Sequence, residues 1–205
     1  PTGASAIAWT EITPHDGLSV NATWKPSAVG DEAGEVINVY ENDAACSVAA
    51  FATVVLTATA TTHNFSTGSN GNSYYYTITS TDDATNAHTT ACSSAMALDT
   101  TDPNAATTLG WTQTSPTSSL TITASWLSSS SGDIDSQSVQ FYSDGTCTSA
   151  DGAAITLGLG VTTQSYTRAA GPAATTPHSY KVTVTDTAGN DTESLCSTPI
   201  IIDNE

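Results

Sequence analysis

The chain says nearly the same thing twice. Pro1, Trp9, Pro14, Leu18, Trp24, Gly30, Asp31 and Tyr40 recur as Pro103, Trp111, Pro116, Leu120, Trp126, Gly132, Asp133 and Tyr142, each displaced by 102 residues. Insertions then shift the register, and Phe65 answers to Tyr166, Tyr74 to Tyr180, Cys92 to Cys196 and Asp99 to Asp203. A period this long is a whole domain, well beyond the roughly 20 to 50 residues of a solenoid unit. The 205 residues therefore divide into two domains, 1–101 and 102–205, each near the commonest domain size. Because they begin and stop on repeat boundaries, they are expected to be two copies from a longer string.

Domains of this size have modest cores and gain from a covalent staple. Each copy holds one pair of cysteines, Cys46 with Cys92 and Cys147 with Cys196, at matching places. Of the pairings open to four cysteines, only the one within each repeat lets each domain fold as an independent copy. The alternative is buried free thiols. A zinc site is not in view, because no CxxC or Cys/His cluster is present to close a tetrahedron. Disulfides persist in oxidising space, so the expected localisation is secreted or cell-surface.

Charge excludes several partners. Lys25, Arg168 and Lys181 are the only Lys or Arg residues against 20 carboxylates, and the net charge is −17. Such a surface repels phosphate backbones and anionic headgroups, so neither nucleic acid nor direct membrane contact is expected. It stays soluble at high salt and attracts divalent cations. No apolar run approaches the length of a membrane span, and no segment reads as a signal peptide. Any export signal or anchor is expected outside these residues.

The local pattern is that of strands. Leu18-Ser-Val-Asn-Ala-Thr-Trp24 and Leu120-Thr-Ile-Thr-Ala-Ser-Trp126 alternate apolar with small polar residues, as do the runs that start at Tyr74 and Tyr180. Gly, Pro, Asn and Asp punctuate the gaps. The stretch from Ala44 to Leu56 comes nearest to a helix, but its β-branched Thr53, Val54 and Val55 predict a loop followed by a strand. Many short strands separated by turn signals predict an all-β sandwich in each half.

The order of aromatic residues makes the resemblance specific. A tryptophan on the second strand, a tyrosine-bearing third strand and a tyrosine opening the penultimate strand resemble the fibronectin type III fold. The resemblance implies that Trp24 and Trp126 pack across the sandwich and that Tyr74 and Tyr180 anchor a corner. An antibody-type domain would carry its cysteines on the second and penultimate strands with the tryptophan on the third. Here the cysteines come after the third strand and on the last, so a fibronectin-like or bacterial immunoglobulin-like variant fits better. The expected fold is two tandem fibronectin type III-like β-sandwiches, each with one disulfide. The linker Thr100-Thr101-Asp102-Pro103 also resembles the junctions between modules of large bacterial surface proteins, including fibre-like adhesins.

Two groups of residues are candidate sites. In a fold of this kind the loop after the second strand and the loop before the last strand share one end of the domain. Asp99, Asp102, Asp133, Asp135, Asn190 and Asp191 fall on those loops or on the linker, with Asp186 nearby. Calcium needs six to eight converging oxygen ligands, which makes it the one candidate ion. Asp and Asn also make turns, and no EF-hand or nonapeptide motif is present. Strand parity turns Ile37, Val39, Val139 and Phe141 inward, so Tyr40 and Tyr142 are expected to face outward with Tyr75 as a flat ligand-binding face. Cross-strand packing on an exposed sheet explains the same tyrosines.

Catalysis finds no machinery. His15, His63, His88 and His178 do not align across the repeats, and no GxSxG, HExxH or phosphate-binding glycine loop occurs. No enzymatic activity and no cofactor other than calcium are expected. The resemblance implies an extracellular structural or adhesive repeat module of a bacterial surface or fibre protein. Its expected partners are further copies of the repeat and a protein or glycan on another cell. Accessory modules of a secreted polysaccharide hydrolase, acting as spacers or carbohydrate binders, are the alternative.

Overall fold

A computed structural model describes residues 1–27, 32–169 and 175–203. Gly30 and Asp31, one copy of the repeated Gly-Asp pair, lie outside the described residues. The chain divides into two compact units, Pro1–Thr101 and Asp102–Glu205. All regular structure among the described residues is strand, and no helix there is long and apolar enough to cross a membrane.

In the first unit, β1 (Ser5–Trp9), β2 (Val20–Lys25) and β5 (Thr62–Phe65) form one sheet in the order β1-β2-β5. The facing sheet runs β4-β3-β6-β7, from β3 (Glu32–Glu41), β4 (Ala52–Leu56), β6 (Ser73–Asp82) and β7 (Ala87–Thr89), with β8 (Met96–Ala97) also on β6. The second unit repeats this plan. Its β9 (Thr107–Trp111), β10 (Thr121–Leu127) and β13 (Thr163–Thr167) make the smaller sheet. Its larger sheet comprises β11 (Ile134–Tyr142), β12 (Ile155–Leu157), β14 (Thr175–Asp186), β15 (Asp191–Glu193) and β16 (Ile200–Asp203).

Period-2 alternation explains these assignments. On β2 the residues Val20, Ala22 and Trp24 are buried while Asn21 and Thr23 are only partly so, and β10 does the same with Ile122, Ala124 and Trp126. Opposite them, Ile37, Val39, Tyr76 and Ile78 complete the first core, and Val139, Phe141, Tyr180 and Val182 the second. Both first strands bulge at the same place. Ala6 (φ 50°) and Thr108 (φ 53°) sit in the left-handed region where the register on the neighbouring strand slips.

The two cores differ at a buried polar position beside the second-strand tryptophan. Trp24 Nε1–H donates to Glu35 Oε2 at 2.8 Å, and Ser80 Oγ donates to Glu35 Oε1 at 3.3 Å, all inside the sandwich. At the matching place in the second unit, Gln137 instead gives its amide N–H groups to the Gly158 and Val161 carbonyls, both at 2.8 Å. The buried Trp126 Nε1 there has no hydrogen-bond partner among the described residues. Glu35→Ala is therefore expected to destabilise the first unit by about 1–3 kcal/mol, the cost of stranding a buried donor. Urea unfolding measures it, and an unchanged midpoint would mean that Trp24 has another acceptor.

Candidate functional site: the disulfide clasp

The most elaborate local structure in each unit is the loop after the third strand. In the first copy the Asp43 carboxylate accepts backbone N–H groups from Ala45 (3.2 Å), Ser47 (2.5 Å) and Val48 (2.9 Å). In the second, Asp144 accepts those of Thr146 (2.7 Å), Thr148 (3.2 Å) and Ser149 (2.5 Å), together with the Thr146 and Thr148 hydroxyls. A short carboxylate that gathers successive amides winds the chain into a tight loop. The loop holds Cys46 (φ 48°) and Cys147 (φ 56°) in the left-handed region.

These hydrogen bonds also set the charge state. The Val48 N–H, ahead of partial desolvation that works against it, holds the Asp43 carboxyl below its ordinary range. At Asp144 desolvation opposes the charged form, and the Thr146, Thr148 and Ser149 donors overcome it, so that carboxyl too lies well below its ordinary range.

Each loop is then bonded across the sheet. Cys46 joins Cys92 and Cys147 joins Cys196, both with Cα atoms 5.8 Å apart. The bond lands beside Ser93 and Ser197, on the segment between the two pieces of the last strand. There Ser93 N–H donates to Tyr76 O and Ser197 N–H to Tyr180 O, and the serine hydroxyls accept the Tyr76 and Tyr180 N–H groups in return. The disulfide thus ties the third-strand loop to a segment already fastened to the penultimate strand.

Two tyrosines that strand parity turns outward are nevertheless covered. Tyr40 and Tyr142 do lie on the outer side of the sheet by parity, yet each keeps only 9 % of its surface exposed. In the second unit Tyr142 pairs with Ser179, and Cys147 Sγ stands 3.3 Å from the Ser179 hydroxyl, so the clasp lies over the sheet beside this tyrosine. Tyr75, opposite Tyr40 in the register, is half-buried. These residues do not form an open flat face.

The anchor tyrosine of the first unit is Tyr76 rather than Tyr74. Tyr76 Oη lies 2.9 Å from Ala8 O and 2.7 Å from Thr23 O. Tyr180 Oη lies 2.8 Å from Gly110 O and 2.6 Å from Ser125 O, the corresponding carbonyls. Tyr74 occupies the position of His178, donating to Glu41 Oε1 at 2.7 Å and accepting the Ser69 N–H at 2.9 Å.

Some of the candidate calcium-site residues are engaged in turns and others are exposed. Asp99 accepts the Thr101 N–H at 3.0 Å, Asp191 accepts the Thr185 hydroxyl at 2.6 Å, and Asp102, Asp133 and Asp135 are exposed. Asp133 O accepts the Thr187 N–H, and a carboxylate oxygen of Asp133 lies within 4.8 Å of one on Asp186. Asp186 is buried and gathers the N–H groups of Ala188, Gly189 and Asn190 as well as the Asn190 amide at 2.8 Å. Asp82 and Asn86 repeat this device in the first unit, at 2.8 and 2.9 Å. The Asn190 side chain therefore serves, through its NH₂, a turn that both copies share.

Two facing sheets, one of β1-β2-β5 type and one of β4-β3-β6-β7 type, each crossed by a second-strand tryptophan, define a fibronectin type III-like sandwich. No family model and no curated protein matches the sequence. Solved structures do match the fold. The FN1–FN3 domains of chicken CNTN1, a contactin, align with a TM-score of 0.57 at 10 % identity, over 98 % of this chain and 67 % of theirs. The A168–A170 domains of titin align with a TM-score of 0.56 at 15 % identity, over 89 % of this chain and 57 % of theirs. The chain is all-β, with two fibronectin type III-like sandwiches in tandem and one disulfide in each.

Proposed function

We propose that this chain is a non-enzymatic structural and adhesive repeat module of an extracellular protein, with a bacterial surface fibre as its setting. It spaces a functional tip from its anchor and offers broad contact surface to a protein or glycan on another cell. One observation carries the reading: each unit holds its own complete core, anchor tyrosine and disulfide clasp, so each bears load by itself. Two disulfides suit oxidising surroundings. The acidic surface keeps a long array soluble and apart from nucleic acid.

The clasp also limits extension. When a unit is pulled from its ends, the chain between its bonded cysteines, separated by 46 residues in one unit and 49 in the other, stays locked. Single-molecule pulling with reductant is therefore expected to lengthen each unfolding step by roughly 150–180 Å, at about 3.3–3.6 Å per freed residue. Equal steps with and without reductant would remove the load-limiting role.

A further inference from the structure

At one end of the first sandwich three aromatic rings pack together. Phe51 lies 6.0 Å from Phe65 and 5.9 Å from Tyr74, and Phe65 lies 4.8 Å from Tyr74, centroid to centroid. Backbone pairing identifies the second unit's counterparts. Phe51 N–H donates to Val39 O and Asp151 N–H to Phe141 O. Phe65 pairs with Val20 and Tyr166 with Ile122, while Tyr74 pairs with Met96 and His178 with Ile200. Asp151, Tyr166 and His178 thus replace Phe51, Phe65 and Tyr74, so a largely apolar cluster has become one of titratable groups.

The replacement leaves a buried weakness. Tyr166 Oη donates to Asp151 Oδ2, and the Tyr166 ring lies 5.4 Å from the imidazole of His178. His178 is only 3 % exposed; its Nε2 is 3.3 Å from Thr176 Oγ1, and among the described residues no hydrogen bond of full geometry reaches its buried Nδ1. Among the described residues, Asp151 from the β11–β12 loop, Tyr166 from β13, Arg168 just after it and the Tyr142 carbonyl of β11 face the ring. Behind, β10 and β16 contribute the buried Ile122, Ile200 and Ile202, and Asp203 ends β16.

We propose that the second unit carries an acid response absent from the first: protonation of His178 loosens the end of the sandwich where β13, β14 and β16 meet. An ion at this position loses its hydration, and the Tyr142 carbonyl and Asp151 compensate only in part. Burial lowers the His178 pKa from its ordinary value; Asp151 and the Tyr142 carbonyl push it up, Arg168 pushes it down, and burial prevails. A folded-state pKa below the unfolded one means that the full contribution is present above about pH 6.5. It is lost as pH falls toward the folded-state pKa, by up to about tenfold in the folded-to-unfolded ratio per pH unit. Asp82, Asp144 and Asp186 are held below their ordinary range, so their losses begin only at about pH 5 and grow below it, which leaves the histidine window separate.

The test is hydrogen exchange on the intact chain between pH 7.5 and 5, corrected for intrinsic rates, comparing residues 175–186 with 73–82. Protection of the second segment is expected to fall relative to the first, by up to about tenfold per pH unit. His178→Tyr, which installs the first unit's residue, is expected to abolish that difference. An NMR titration of the His178 ring in the unaltered protein is a second measure that does not depend on the variant folding. Equal pH dependence in the two proteins, or a ring that titrates at or above about 6.5, would overturn the proposal.

Discussion

Replacing Cys46 and Cys92 together by alanine is expected to lower the stability of the first unit by about 2–5 kcal/mol. The same change at Cys147 and Cys196 is expected to do so in the second. With bonded residues separated by 46 and 49 positions, chain entropy alone accounts for roughly 4 kcal/mol in each. Domains of this size hold only about 5–15 kcal/mol in total, so either loss is a large share. Urea unfolding of the oxidised protein and of the double variants measures it, and a difference under about 1 kcal/mol would show that the closed loop is already restricted when unfolded.

The loss should have a local signature. The Asp43 and Asp144 loops carry the cysteines, and in the second unit the clasp lies over the larger sheet beside the buried Tyr142. Without the bond, the loop is held by hydrogen bonds only: the carboxylate with its amide donors, and contacts to the neighbouring strand such as Ser179 Oγ to Asp144 O and Asn42 N–H to Ser73 O. Faster hydrogen exchange is therefore expected first at Ala45, Ser47 and Val48, and at Thr146, Thr148 and Ser149, before the central strands give way.

What the sequence made legible was whatever obeys a short period or a fixed offset. The strands showed through alternation, the second-strand tryptophans through their shared displacement, and the cysteine pairing through the need of each copy to be self-contained. Tyr40 and Tyr142 show where that stops: strand parity assigns their side of the sheet, but no periodicity reports a loop folded back over it. The anchor tyrosine illustrates a different failure. Tyr74, Tyr75 and Tyr76 are consecutive, and a slip of two residues preserves parity, so alternation cannot choose between Tyr74 and Tyr76. The cysteines held the missing signal, because the offset from Cys92 to Cys196 carries Tyr76, not Tyr74, onto Tyr180. The same offset brings Tyr74 onto His178, so a histidine without an apparent counterpart in fact stands at an aromatic core position.

Tyr180→Ala is expected to destabilise the second unit by about 3–5 kcal/mol and Tyr180→Phe by about 1–3 kcal/mol, and the difference separates two roles of one side chain. The ring contributes packing: its centroid lies 4.9 Å from that of Trp111 and 6.1 Å from those of Trp126 and Phe141. The hydroxyl reaches Gly110 O and Ser125 O, and it accepts the Gly110 N–H at 2.9 Å. It therefore joins the bulged strand β9 to β10 from across the sandwich, at a place where the bulge has interrupted their register. Burial pushes the phenol up to about pKa 12, as it does for Tyr76, so the donor persists across the working pH range. Phenylalanine keeps the ring and strands these partners; alanine also empties the space between the tryptophans. Fluorescence-monitored urea unfolding distinguishes the cases. If Tyr180→Phe costs as much as Tyr180→Ala, the hydroxyl bridge rather than the aromatic core holds the two sheets together. If it costs nothing, water takes over the carbonyls and the bridge contributes no net stability.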